Sequence, residues 1–362
     1  MGRYTLRPAW TRPAPSTPTS VTVVSRRTLS LLLSTFLAVG LLVGTLVARV
    51  PYVALGPGPT FNTLGDSEGA PVIDIRGRQS FPDTGHLDLT TVGVRSDLSL
   101  AEALVGWVRR DEAVVPRELV FPPGQSDAQV EAENTRQMVQ SQDAATTAAL
   151  SALGIPIEVT VADVSATSPA VGVLRKDDVL TSVDGRAVTG PAQLRTMIGD
   201  RAPGASVRIG YRRAGLSAEA ALVTTASTDS PPRPLIGVAT GVSYPFTVKI
   251  ALKDVGGPSA GLMFALGIVD KLEPGSLTGG AYIAGTGEIT PDGAVQPIGG
   301  IQQKLRGARG KGATVFLVPA ANCADAAANR PDGLQLIKVS SLDEARRALD
   351  LERSGGTPAG CS

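Results

Sequence analysis

Ser259 lies in the stretch "VGGPSAGLMFAL", Val255 to Leu266, with two glycines before it and an apolar run after it. Pro258 suits a first helical turn, because the N–H it lacks would go unpaired there. A helix starting here turns its unpaired N–H groups and the positive end of its dipole toward whatever the serine holds, which suits an oxyanion. The glycines also admit a close backbone without side-chain clash. Taken locally, a serine at a helix start reads as a cap. As a nucleophile it needs a neighbour to take its proton. The single histidine, His86, sits in "FPDTGHLDLT" with no motif around it and reads as a surface or turn residue, so no Ser-His-Asp triad is possible without it. One histidine and two cysteines, Cys323 and Cys361, cannot build a Cys/His zinc site, and no metal or cofactor is expected.

The whole chain has 362 residues, 43% of them apolar, enough for two or three compact units. Its formal net charge of +1 and 4% aromatics argue against a nucleic-acid partner. From Thr28 to Ala48 the sequence is uncharged, and 21 residues at about 1.5 Å each span a hydrocarbon core of roughly 30 Å. It predicts a single amino-terminal transmembrane helix at 28–48; a cleaved signal peptide is the competing reading, with a normally shorter apolar region. Arg3, Arg7, Arg12, Arg26 and Arg27 precede it without an acid, which places the amino terminus in the cytoplasm and the remainder outside. Residues 1–27 read as a disordered cytoplasmic tail. An outward compartment permits a Cys323–Cys361 disulfide.

Residues 49–150 hold the alternating "PVIDIRG" and "HLDLTTVGV", the helical "LSLAEALVGWVRR", and a long helix-forming run after Ser126. They carry no recognisable chemistry and read as a stalk or collar. Residues 151–228 form a strand-rich module: "IEVTVADV", "DVLTSVDG" and "SVRIGYRR" are strands and "GPAQLRTMIGD" a helix. The run "VSATSPAVGVLRKDDVLTSVDGRAVTGPAQLRTMI" resembles a bacterial PDZ domain, with Asp177 where that family usually has glycine. The resemblance implies a groove that takes an extended peptide as an added strand, its terminal carboxylate held by a loop. By position that loop is "LGIPI", which makes Gly154 and Ile155 the expected peptide-binding residues. The alternative is a PDZ-shaped packing module without a ligand. The Pro/Ser-rich "STDSPPRPL", 227–235, reads as a domain joint.

Beyond it, "AGTGEITPDGAVQPIGGIQQKLRGARGKGATVFLVP" follows the serine segment. The combination of G-P-S-A-G, T-G-E-I-T and P-I-G-G-x-x-x-K over residues 235–350 resembles the proteolytic domain of Lon. That resemblance implies Ser259 as nucleophile, Lys304 as its base and Thr286 as a residue orienting the lysine. It also implies backbone N–H groups around Gly257 and Ser259 to Ala260 as oxyanion donors. Lys304 is set apart from the neighbouring lysines by the residues themselves. Lys249 alternates within a strand, Lys253 precedes the loop, and Lys271 and Lys311 fall at element ends, whereas Lys304 lies inside a patterned helix beside glycines. A lysine base must be neutral, so its usual pKa of about 10.4 must fall by several units, which burial accomplishes. Relatives in the cytoplasm usually carry an acid before G-P-S and before the lysine; here Gly256 and Gln303 stand there.

No G-x-x-x-x-G-K-[ST] loop occurs in the chain. The reading is therefore an α+β protein with one transmembrane helix, a PDZ-like module and a Lon-type α+β domain, ending in a flexible tail at 351–362. The order of parts resembles membrane-anchored PDZ/Lon-like serine peptidases. It implies ATP-independent cleavage of protein or peptide substrates outside the cytoplasmic membrane, with homo-oligomerisation left open. A non-catalytic PDZ adaptor with a Lon-like shell is the alternative.

Overall fold

The computed structural model describes residues 25–81, 85–109, 111–253 and 255–361. Helix α1 (Arg26–Val47) carries the uncharged run, with no residue buried. It is long and apolar enough to cross a membrane. Residues 1–24 of the expected cytoplasmic tail lie outside the described residues.

Strands β1 (Tyr52–Asn62), β2 (Ile73–Arg76) and β3 (His86–Arg95) follow, then helix α2 (Leu100–Val108), strand β4 (Ala113–Pro116) and the long helix α3 (Asp127–Ala152). Ser126 caps α3 through a reciprocal box with Gln129. The next segment supplies β5 (Glu158–Val164), β6 (Val179–Val183), α4 (Pro191–Gly199), β7 (Ser206–Arg213), β8 (Leu216–Val223) and β9 (Val238–Ser243). The remainder builds β10 (Thr247–Ile250), α5 (Gly261–Leu272), β11 (Tyr282–Gly285), α6 (Ile301–Gly310), β12 (Val315–Pro319), α7 (Cys323–Ala328), β13 (Gln335–Val339) and α8 (Leu342–Arg353).

One sheet runs β13-β12-β11-β3-β1-β4, parallel from β13 to β3 and antiparallel from β3 to β4. Residues 49–150 are therefore not a separate stalk or collar: they contribute half of the sheet that the last hundred residues complete. Leu87 and Leu89 of β3 are fully buried in the same core as Ile283 and Leu317. Alternation in "HLDLTTVGV" marked a strand, but its parallel partner is remote; Thr90 Oγ1 donates to the carbonyl of Gly285, 195 residues on.

The second sheet, β8-β7-β6-β5-β9, is antiparallel throughout and has its own core of Val159, Leu180, Leu194 and Ile209. Because β9 pairs β5 across residues 238–243, the module extends past 228, and "STDSPPRPL" is a turn within it rather than a joint. Asp177 has φ +68°, the left-handed backbone that explains a glycine preference there. Next to it, the Asp178 carboxylate accepts two bonds from Arg213 at 2.7 and 2.6 Å, which hold its pKa below the usual range.

Helix α5 lies at the centre of the larger core, every residue but Lys271 buried. A helix apolar all round needs cover on all sides. The sheet, α3 and α8 supply it, with Met138, Ala145 and Ala149 of α3 and Ala345 and Leu349 of α8 in its cluster.

The carboxy terminus is tied down rather than a flexible tail. Helix α8 runs to Arg353, Lys338 N–H donates to the Ala359 carbonyl at 2.9 Å, and Cys323 is bonded to Cys361. Closing 38 residues of chain restricts the unfolded state by about 4 kcal/mol. Reduction, or Cys361→Ala, should lower the thermal midpoint accordingly; an unchanged midpoint on addition of a reductant would refute a stabilising bond.

Candidate active site

The serine loop, 255–260, runs between α3 and the start of α5. Gly257 has φ +83°, and its N–H donates to the Asn134 carbonyl of α3 at 3.0 Å. A Cβ on Gly256 would meet Asn134 Cβ at 2.8 Å. The helix wall thus requires the first glycine and the backbone turn the second. It also accounts for the acid missing at position 256: a carboxylate side chain does not fit against Asn134. The Pro258 carbonyl accepts from Ser141 Oγ at 2.9 Å, a second tie to α3.

Ser259 does not cap α5. The helix starts at Gly261 with Ala260 at the N-cap and no side-chain cap bond. Its hydroxyl is instead 2.7 Å from Lys304 Nζ. Lys304 sits in the first turn of α6, whose N-cap Gly300 takes φ +70° and would bring a Cβ to 2.6 Å from Val92. Lys304 Nζ donates to Thr286 Oγ1 at 2.8 Å, and Thr286 Oγ1 donates to the Ser259 carbonyl at 3.0 Å. Gly287 N–H reaches the same carbonyl at 2.9 Å. Thr286 Oγ1 thus accepts a hydrogen bond from one amine N–H, leaving the lone pair of a neutral amine free for the serine O–H.

Lys304 is 2% exposed, and burial lowers its pKa from 10.5 to about 7. The positive end of α6 works in the same direction. Among the described residues no carboxylate is bonded to Lys304 to hold the charged form. Replacing Thr286 with valine keeps the shape and removes both hydroxyl bonds. The cleavage rate proposed below should fall about 10- to 100-fold with fold retained, since a misplacement of about 1 Å in a reacting group can cost on the order of 10²-fold. An unchanged rate would remove Thr286 from the site.

Ala260 and Ser259 keep free backbone N–H groups among the described residues, as orphan donors at a helix start do, but Gly257 N–H is already spent on Asn134. Gly257 is corrected from oxyanion donor to turn residue. Gly154 and Ile155 are also misplaced. Gly154, φ +64°, is the residue after the α3 C-cap, with Gly154 N–H on the Ser151 carbonyl and Ile155 N–H on that of Leu150. Ile155 is buried in the main core. The groove of the second module, about 660 Å³, lies instead between α4 and the free edge of β9, lined by Leu194, Arg195, Ile198, Leu235, Ile236 and Gly237. The signal was present in "PLIGVAT", an apolar pair and glycine leading into a strand, but it follows the module's other strands instead of preceding them. His86 lies at the start of β3, stacked on Tyr282 with ring centroids 4.3 Å apart.

A cleft of about 690 Å³ opens on Ser259 and Lys304. Its walls include Thr91 to Val94 of β3 and Pro297 to Gly300. Asn322 clamps the second wall by accepting from Ile298 N–H at 2.9 Å and donating to its carbonyl at 3.0 Å. Sequence reasoning missed Asn322, Ser141 and Asn134, which are ordinary polar residues until the fold brings them to these loops.

A mixed sheet around a buried helix, with a buried lysine on the serine at that helix's entrance, defines an α+β domain of proteolytic type with a second strand-rich module inserted in it. Two stretches match known families: 251–350 the Lon protease (S16) C-terminal proteolytic domain, and 129–223 the PDZ domain. The chain carries a Lon-type proteolytic domain and a PDZ domain. Lon protease 1 of Sorangium cellulosum (strain So ce56) is 42% identical over 92 residues, 25% of this chain and 11% of that protein. Lon protease 2 of Bacillus subtilis (strain 168) is 34% identical over 90 residues, 25% of this chain and 16% of that one. The chain thus spans a small fraction of those relatives' length. The PDZ domain of an SdrC-like protein from Listeria monocytogenes is 29% identical, with a TM-score of 0.22, covering 23% of this chain and 85% of that one. The PDZ match starts inside α3 and stops before β9, so it leaves out the strand that borders the groove.

Proposed function

We propose that the protein is an ATP-independent serine endopeptidase using a Ser259–Lys304 dyad, anchored by α1 with its folded domains on the outer side of the cytoplasmic membrane. The observation that carries this reading is the 2.7 Å contact between Ser259 Oγ and a lysine that burial brings to about pH 7. Ser259 Oγ attacks the scissile carbonyl while its proton passes to Lys304 Nζ. The N–H groups of Ser259 and Ala260 meet the oxyanion, each such donor contributing about 2.7–4 kcal/mol. Lys304 then gives the proton to the leaving amine, and in the second half it activates the water that releases the acyl-enzyme.

Strand β11 pairs β3 only as far as Leu89, so the β3 edge from Thr91 to Val94 is open beside the serine. An extended substrate adds there as a strand. The groove between α4 and β9 takes a second extended segment, with Arg195 at its rim suited to a terminal carboxylate. Substrates are therefore unfolded proteins or protein ends. The test is cleavage of an unfolded protein by the purified full chain in detergent without ATP, beside its Ser259→Ala and Lys304→Ala variants. Cleavage by the native chain alone is expected. Equal, negligible cleavage by all three would overturn the reading in favour of an adaptor that only binds.

A further inference from the structure

Helix α2 buries the wrong side chains for a soluble surface helix. Ala103 and Gly106, the small residues, face the protein, while Leu104, Val105, Trp107 and Val108 are 48, 58, 55 and 84% exposed. No charge interrupts that outer face between Leu104 and Val108. An amphipathic helix in a soluble domain turns its large apolar residues inward, and a contiguous exposed patch of this kind marks a contact surface.

The place of α2 identifies what covers it. The apolar run of α1 ends at Val47, and the chain then locks onto the start of α2. Leu100 N–H donates to the Ala48 carbonyl at 3.0 Å, Val50 N–H donates to the Leu98 carbonyl at 2.9 Å, and Arg49 bridges Ser99. Ser99 closes the helix with a capping box to Glu102. The first residue of α2 is thus held at the level where α1 leaves the hydrocarbon. Trp107 is fixed from behind, its Nε1–H on the Val114 carbonyl at 3.3 Å and its ring edge-on to Tyr52. With its N–H satisfied inside the protein, the ring offers only its apolar body outward, and tryptophan so placed belongs at a membrane interface.

We infer that α2 lies in the bilayer surface, with Leu104, Val105, Trp107 and Val108 set into the headgroup–acyl boundary of the leaflet that α1 exits. The occupant is lipid, and the inference rests on α1 spanning the membrane. It fixes the domain's orientation as well as its attachment. Strand β3 leads through 96–99 into α2, and at roughly 3.3 Å per residue the open β3 edge lies within about 20 Å of the start of α2 at Val94 and about 30 Å at Thr91. The cleft therefore stands above the bilayer within reach of segments that emerge from it.

The chain has two tryptophans, Trp10 and Trp107. The full-length Trp10→Phe protein, reconstituted in phosphatidylcholine–phosphatidylglycerol vesicles, reports on α2 alone. Lipids brominated near the headgroup should quench its emission more than lipids brominated near the chain end, as for an apolar face roughly 5–10 Å deep. Joint replacement of Leu104, Val105 and Val108 by serine should weaken that quenching while soluble-peptide cleavage persists. If the chain resists alkaline extraction but no brominated lipid quenches Trp107, α2 stands clear of the bilayer and the inference is wrong, with the anchor intact. If alkali extracts the chain, the anchor reading fails and α2 docking fails with it.

Discussion

Ser259→Ala should lower the cleavage rate by roughly 10⁴- to 10⁶-fold, and Lys304→Ala by a similar factor. The double variant should be no slower than either single one, because the two groups act as a unit: without the base the hydroxyl keeps its proton, and without the hydroxyl the base has nothing to activate. A double variant slower by the product of the two losses would mean independent roles. The pH profile is the sharper measurement. Only the neutral amine accepts the serine proton, so kcat/KM should rise about tenfold per pH unit below the Lys304 pKa of about 7 and level off above it. Lys304→Arg, charged throughout, should be inactive over the whole range. A flat profile between pH 6 and 9 would eliminate lysine as the base.

The same burial has a cost in stability, and its sign differs from that of an ion-paired group. Lys304 has a folded-state pKa of about 7 against 10.5 in the unfolded chain. Between those values the unfolded chain binds a proton that the folded chain sheds, so unfolding free energy rises with pH across that window. Below about pH 7 the penalty is fully present, on the order of 5 kcal/mol. Lys304→Met fills nearly the same volume and removes the penalty, while forfeiting the hydrogen bonds to Ser259 and Thr286 at about 1 kcal/mol each. The variant should be more stable than the native chain near pH 7 by about 2–3 kcal/mol and less stable near pH 10.5. Urea unfolding followed by circular dichroism at both pH values checks this. A variant less stable at both would mean that Lys304 is not desolvated in the folded state. Gly256 and Gln303 contribute to this tuning by what they omit: an acid at either position would favour the ammonium, and Asn134 leaves the first no room.

Much of the chemistry was legible because it is written in local motifs. The P-S-A-G, T-G-E and P-I-G-G-x-x-x-K segments each set a backbone turn and one side chain, and the structure brings Ser259, Thr286 and Lys304 within hydrogen-bond reach of one another. The strands and helices of the second module were equally readable from alternation and turn residues, down to α4 and the strained Asp177.

What failed shares one cause: pairings between distant segments leave no local trace. The segments "PVIDIRG" and "HLDLTTVGV" carried the right period, but nothing in them announces β11 as a partner, so the stretch that supplies half of the larger sheet read as a stalk. The edge strand β9 came after an apparent joint, so the peptide groove was assigned to Gly154 and Ile155, which instead end a helix. The sequence by itself determined which residue types stand ready for chemistry and which stretch is apolar enough to cross a membrane, since both follow from composition and short-range spacing. Only the tertiary structure decided whether Ser259 caps a helix or meets a base, and how dry that base is. A hydroxyl's partner and a lysine's desolvation depend on α3, α5 and α6 closing around one point, and that packing is a property of the whole chain.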